Sequence, residues 1–385
     1  MPSNERNMSH PKEAKIAALL HDMMQGHDIP GIAVVVFDSE RSVIEQAMGV
    51  CRLGGEASVT LNSRFHVGSN TKAMTATAIA SLVEDDELSW ETKLIAVFPE
   101  LAQVIHKSFK RITLRQLLTH TAGIQPFTDG SEYDALPEFS GTPQEQRYQF
   151  TRHLLASKPF STPGEGHEYS NAGYSIAASM GERVAGMSWQ QLMKVRLFDR
   201  LETEVFFGWT ALSDPEQPWG HMYEGDLELS FEESRSRDSR ALIAHPPTDS
   251  YYLTSLGAPA GDVSLSIVDF AKFAQVHLRG LRGMETILES ETIRFMHEDI
   301  QGYALGWNIN KAGEVTVSFH NGSAGTFFSQ AVLFPFRDYG FVSACNAGHP
   351  LAWEGCAKLA QALFDEFKDG SLHVQEPKKS SDDQQ

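Results

Sequence analysis

The sequence predicts an α+β fold: an antiparallel β-sheet flanked by helices, built from N- and C-terminal segments, with a mainly helical subdomain inserted between them. Three observations predict it. Runs rich in β-branched residues stand near both ends of the chain, residues 69 to about 205 carry mainly helical spacing, and two of the N-terminal runs are separated by only a short polar turn. Residues 12–25 place Ile16, Leu19, Leu20, Met23 and Met24 on one helical face, and Gly26 follows as a stop. "GIAVVVFD" (31–38) and "SVIEQAMGV" (42–50) read as a hairpin. Periodicity fades over 206–260, which reads as a long loop, functional or disordered. Helical spacing returns in "SIVDFAKFAQVHL" (266–278). Four strand candidates follow: "YALGWNIN" (303–310), "VTVSFH" (315–320), "FSQAVLFPF" (328–336) and "YGFVSACNA" (339–347). An amphipathic helix over 351–368 completes one domain spanning 12–368, whose α/β part is about 12–68 with 260–368 and whose helical part is about 69–259. The polar tail, 369–385, is expected to be disordered.

Composition narrows the function. The chain has 385 residues, enough for a large core, and its 32 basic against 50 acidic residues give a formal charge of −18. Such a surface repels nucleic acid and anionic membranes, so neither is expected as a partner. No apolar run is long enough to span a bilayer, and the polar N-terminus lacks the layout of a signal peptide. Cys51, Cys345 and Cys356 cannot all pair within one chain, which points to free thiols and a cytoplasmic location. The sequence does not indicate an oligomeric state.

The chemistry centres on "FHVGSNTK" (65–72). Ser-x-x-Lys is a cheap pattern, and a second copy, Ser9 to Lys12, lies in the polar N-terminus with no periodic helix directly behind it. Ser69 opens a long helical run, where backbone N–H groups are free and the helix dipole is positive, and Lys72 falls one turn along on the same face. A serine hydroxyl needs a neighbour to take its proton, and a lysine desolvated in a cleft can do so. An N-capping serine beside a solvated lysine is the alternative. Two further segments favour chemistry. In "YSN" (169–171), Tyr169 can supply a phenolate whose pKa Lys72 depresses, while Asn171 can hold the lysine and a substrate carbonyl. In "FHNGSAG" (319–325), which ends a predicted strand, His320, Asn321 and Gly322 precede Ser323; the glycine lets a substrate backbone approach, and the Ser69 and Ser323 N–H groups can form an oxyanion hole.

Other chemistries lack their signatures. There is no G-x-S-x-G, no H-E-x-x-H and no clustered Cys/His spacing, so neither a metal nor any other cofactor is expected. Phe206, Phe207, Trp209, Trp219 and Tyr223 can line an acyl pocket, with core packing equally open for each; Tyr251 and Tyr252 are weaker pocket candidates.

Taken together, Ser69/Lys72, Tyr169/Asn171 and His320/Gly322 resemble the Ser-x-x-Lys, Tyr-x-Asn and Lys/His-x-Gly motifs of the serine β-lactamase and penicillin-binding protein superfamily. The class C-like branch of esterases, D-aminopeptidases and related hydrolases is the most similar. "ITLRQLLTHTAGI" (112–124) resembles its Leu-Leu-x-His-Thr-Ser-Gly signature, and "PAGDVSLSIVDFAKF" (259–273) its Pro-Ala-Gly-Gly segment, with Asp262 in place of the second glycine. The resemblance implies a β-lactamase/transpeptidase-like fold over about 12–368, a supporting role for His120, and a covalent acyl-enzyme on Ser69 with Lys72 and Tyr169 sharing base work. It implies substrate binding at Asn171, His320, Asn321, Gly322 and Ser323. His320 replaces a lysine that helps bind substrate carboxylate in true β-lactamases, which favours small ester, thioester or amide substrates over β-lactams. Hydrolysis, acyl transfer in biosynthesis, a D-aminopeptidase or DD-peptidase activity, weak lactamase activity and a non-catalytic scaffold remain the alternatives.

Overall fold

The computed structural model describes residues 12–128, 130–225, 240–248, 255–312 and 315–368. The expected tail and the candidates Tyr251 and Tyr252 lie outside the described residues. In chain order the strands are β1 (Gly31–Phe37), β2 (Ser42–Gly49), β3 (Arg64–His66), β4 (Phe206–Phe207), β5 (Gly220–Tyr223) and β6 (Leu242–His245). β7 (Val263–Ser266), β8 (Asn308–Ala312), β9 (Val315–Ser323), β10 (Phe328–Phe334) and β11 (Tyr339–Cys345) follow.

Six of these form the main sheet, in the order β2-β1-β11-β10-β9-β8, with every neighbouring pair antiparallel. The hairpin β1–β2 therefore docks on β11, bringing the two ends of the chain into one sheet: Ile32 pairs with Cys345 and Val36 with Phe341. β1 is buried along its whole length, which explains its unbroken apolar run. Alternation sorts its side chains. Ile32, Val34 and Val36 join Ile16, Leu20 and Met23 of the helix Glu13–Gly26 and Leu359, Leu363 and Phe367 of the helix Pro350–Phe367. Ala33, Val35 and Phe37 face the opposite way, toward the core containing Phe270 and Ala274 of the helix Ile267–Leu281. Each fully buried Leu, Phe or Val on these faces stabilises the fold by about 1.5–3 kcal/mol. Salt bridges from Lys12 and Lys15 to Glu366 join the two helices on the outer face.

The region 69–205 is mainly helical, with Thr71–Glu84, Pro143–Ala156 and Asn171–Ala185 its longest helices. Two expectations change. The stretch 303–310 is strand only from Asn308, because Gly306 takes φ +86° and packs on the backbone of Ala73, turning buried Tyr303 and Trp307 inward. The described part of 206–260 is not one loop: β4 joins β3 and β7 in a small sheet, and β5 pairs with β6.

Candidate active site

Ser69 sits in a single 3-10 turn, Gly68–Asn70, between β3 and the helix Thr71–Glu84. Every residue from Thr71 to Leu82 is buried, so this helix passes through the protein with no solvent face, and its Ala and Thr content fits that crowded path. Gly68 has φ +50°, and a Cβ there would lie 2.4 Å from Ser323 O. A Cβ on Gly322 would lie 1.9 Å from Val67 O. These two glycines let β9 and the turn that carries Ser69 meet backbone to backbone. Gly322 thus admits the protein's own main chain, where the sequence suggested substrate. Asn70, oriented to satisfy both ends of its amide, closes the seam by donating to His320 O (3.0 Å) and accepting from Gly322 N–H (3.3 Å).

Lys72 is fully buried, and its Nζ lies 3.1 Å from Ser69 Oγ, 2.7 Å from Asn171 Oδ1 and 2.9 Å from Ala260 O. Among the described residues no carboxylate pairs with it. Burial holds the amine well below its ordinary range. Asn171 Oδ1 and Ala260 O can only accept, so a neutral amine gives them its two N–H groups and turns its lone pair to the Ser69 hydroxyl. Tyr169 lies close, with Nζ 4.7 Å from its ring centroid, and its phenol hydrogen-bonds Ser69. The sequence suggested a phenolate; instead burial raises the phenol, the Ser69 contact only opposing it. An amine with a phenol and an ammonium with a phenolate hold the same protons, and desolvation favours the pair without charges.

The middle residue of Tyr-Ser-Asn caps the helix behind it: Ser170 Oγ accepts from Gly173 N–H (3.0 Å) and donates to Gln125 O (2.6 Å). Ser170 N–H in turn donates to His120 Nδ1 (3.0 Å). His120 is buried against Tyr169 and Tyr303, an arrangement that fits support of the site. Asn171 Nδ2 donates to Phe127 O (2.8 Å), so both ends of that amide are engaged within the protein.

His320 is buried, and its partners assign the proton: Nδ1 donates to Asn321 O (2.6 Å) and Nε2 accepts from Tyr303 OH (3.0 Å). Burial, with Lys72 adding to it, pushes its pKa down to about 3, which makes it neutral at physiological pH. Asn321 is not brought to the site. It alternates onto the other face of β9, exposed, and lines a groove of about 410 Å³ with Phe328, Gln330 and Trp353. Ser323 abuts Gly68, its backbone N 2.6 Å from where a Gly68 Cβ would be. The aromatic candidates are dispersed: Phe206 lies under Arg64, Phe207 on Trp189, Trp209 on His66, Trp219 under Arg52 and Tyr223 on His349.

Buried neutral histidines set an acid limit on stability. Burial lowers His277 to about 3 and His221 to about 4, as it does His320, and holds His120 and His297 well below the ordinary value. Their unfolded counterparts protonate near pH 6.5, so the unfolded state binds more protons below that pH and stability falls as pH drops. Urea unfolding at pH 7.5 and 5.0 should give a lower midpoint at 5.0; equal midpoints would contradict these assignments.

The beta-lactamase family profile matches residues 16–362. The chain belongs to the beta-lactamase family. Penicillin-binding protein 4 of Amycolatopsis lactamdurans is 26% identical over 326 residues, 80% of this chain and 78% of that protein. Unguisins hydrolase ungD' of Aspergillus campestris is 23% identical over 387 residues, 96% of this chain and 68% of that protein. Protein flp of Staphylococcus aureus is 22% identical over 334 residues, and the match spans only 61% of flp. A class C beta-lactamase superposes with a TM-score of 0.72 at 18% identity, over 96% of this chain and all of that one. The octameric penicillin-binding protein homologue from Pyrococcus abyssi gives 0.71 at 22% identity, over 91% and 77%. These structures establish that this beta-lactamase-family chain has the beta-lactamase/penicillin-binding protein fold.

Proposed function

We propose that this protein is a serine hydrolase that forms a covalent acyl-enzyme on Ser69, a carboxylesterase-type enzyme acting on small uncharged esters or amides. The observation that carries the reading is the Lys72 amine, buried with no carboxylate partner among the described residues and directed by two fixed acceptors so that its lone pair meets the Ser69 hydroxyl. Ser69 Oγ attacks the carbonyl carbon as its proton passes to Lys72 Nζ. The Ser69 and Ser323 N–H groups stabilise the oxyanion. As the tetrahedral adduct collapses, Tyr169 protonates the departing oxygen or nitrogen and regains a proton from the Lys72 ammonium. Water then attacks the acyl carbon by the reverse relay, releasing the acid and restoring Ser69. A neutral, internally bonded His320 offers no charge to a substrate carboxylate, which favours uncharged substrates over β-lactams. The relative named as a hydrolase agrees with water as the acceptor. No helix among the described residues is long and apolar enough to cross a membrane. The three free, buried cysteines support our proposal of a small-molecule substrate met in the cytoplasm.

Intact-mass analysis tests the reading. A fluorophosphonate should add once, and peptide mapping should place it on Ser69. Among short-chain esters, acyl-thioesters, D-amino-acid amides and a cephalosporin, the neutral esters should leave the readiest adduct. Label on another residue would overturn the nucleophile, and preferential acylation by the cephalosporin would overturn the substrate class.

A further inference from the structure

We infer that His66 and Asp262 form a positioning couple that holds the nucleophile turn through the Gly68 N–H and thereby sets the acylation rate of Ser69. The inference rests on Ser69 being the nucleophile. His66 ends β3 two residues before Gly68 and is buried, its ring stacked on Trp209 at 5.1 Å between centroids. Its Nδ1 lies 3.2 Å from Gly68 N, and its Nε2 lies 3.3 Å from Asp262 Oδ1. A backbone N–H can only donate, so Nδ1 must present its lone pair. Nε2 then carries the proton and directs it to the carboxylate. Asp262 thus selects the tautomer that can receive Gly68.

The segment carrying Asp262 grips the site at three other points. Ala260 O accepts from Lys72 Nζ (2.9 Å). Val263 O accepts from Val67 N–H (2.9 Å), and Val263 N–H donates to Thr71 Oγ1 (3.2 Å). Residues 260–263 therefore position the proposed base and the turn bearing Ser69 together. Gly68 is the weak link of that turn. It has no side chain to pack and adopts φ +50°, so its N–H bond to His66 is a main restraint on its orientation. A misoriented turn moves Ser69 Oγ and the Ser69 N–H together, and positioning errors of this kind act on the chemical step more than on binding.

Asp262→Asn separates this role from a general effect on folding. The asparagine keeps the shape but offers the Nε2–H only a neutral amide oxygen, which weakens the bond that holds the ring and its tautomer against the Gly68 N–H. The second-order rate of fluorophosphonate labelling should fall about tenfold, the worth of one buried hydrogen bond. For an ester substrate the loss should fall on kcat with KM little changed. At position 66, asparagine can place its amide oxygen near the Nδ1 position and glutamine reaches toward Nε2, so His66→Asn should label faster than His66→Gln. Nitrogen NMR of the wild-type protein should find His66 protonated at Nε2. Labelling of Asp262→Asn at the wild-type rate, His66→Gln equal to or faster than His66→Asn, or an Nδ1–H tautomer in the wild type would each overturn the couple. Wild-type label at a residue other than Ser69 would instead overturn the nucleophile assignment, while the NMR result would still judge the hydrogen-bond geometry.

Discussion

Replacing Lys72 with methionine is expected to slow fluorophosphonate labelling of Ser69 about a thousandfold, the usual scale for losing a general base. Methionine keeps the length of the side chain and removes its amine. The substitution leaves Asn171 Oδ1 and Ala260 O without their donor, which costs stability, but it also removes a buried amine, which offsets part of that cost. The pH profile gives a second check. An ammonium cannot accept the Ser69 proton, so the wild-type rate should rise with pH through the Lys72 pKa. Burial places that pKa well below 10.5. The midpoint of the acid limb should therefore lie far below the range of an exposed lysine, and the limb should disappear in Lys72→Met. A variant that keeps a fifth or more of the wild-type rate would exclude the amine as the base.

The second large effect concerns stability. Glu182→Gln is expected to destabilise the protein by about 3–5 kcal/mol, measured by urea unfolding. Arg147, on the helix Pro143–Ala156, and Glu182, on Asn171–Ala185, form a buried two-pronged ion pair. The same carboxylate accepts from Trp189 N–H (2.7 Å), and Arg147 also donates to Ser255 O (2.8 Å). Glutamine keeps the shape but leaves a guanidinium charge buried without its counter-ion. Replacing both partners together, Arg147→Met with Glu182→Leu, should cost less than the single change, because no charge is then stranded. A loss below about 1 kcal/mol for Glu182→Gln would show that water reaches the pair.

What the sequence revealed follows from the range of the physics involved. The β1–β2 hairpin, the strands after residue 315 and the helix Glu13–Gly26 have local periodicities, and they were legible. Ser69, Lys72, Tyr169 and Asn171 were legible as a group because motifs mark them, and the fold brings their side chains together. Asn321 was misplaced because a three-residue motif on a strand alternates faces, so its middle residue points away from its neighbours. The proton on Tyr169 was hidden because burial, which no spacing reports, outweighs the opposing contact with Ser69. The couple of His66 with Asp262 joins residues 196 positions apart, and Arg147 with Glu182 joins two helices. In neither case does the local sequence mark one partner for the other. The turn at Gly306 was missed because its cause is the helix Thr71–Glu84 packed against it.

The pairing of β1 with β11 has a consequence for how the protein is made. β1 is translated well before its partner on that side, which ends at Cys345, some three hundred residues later. As the ribosome works through the helical region, one edge of a wholly apolar strand must wait unpaired, and closing so long a loop is entropically slow. The helices can organise as they emerge, whereas the central sheet is completed only after β10 and β11 have followed them. A nascent chain stalled before β10 and β11 appear would carry that open edge, and it is the form most in need of chaperones.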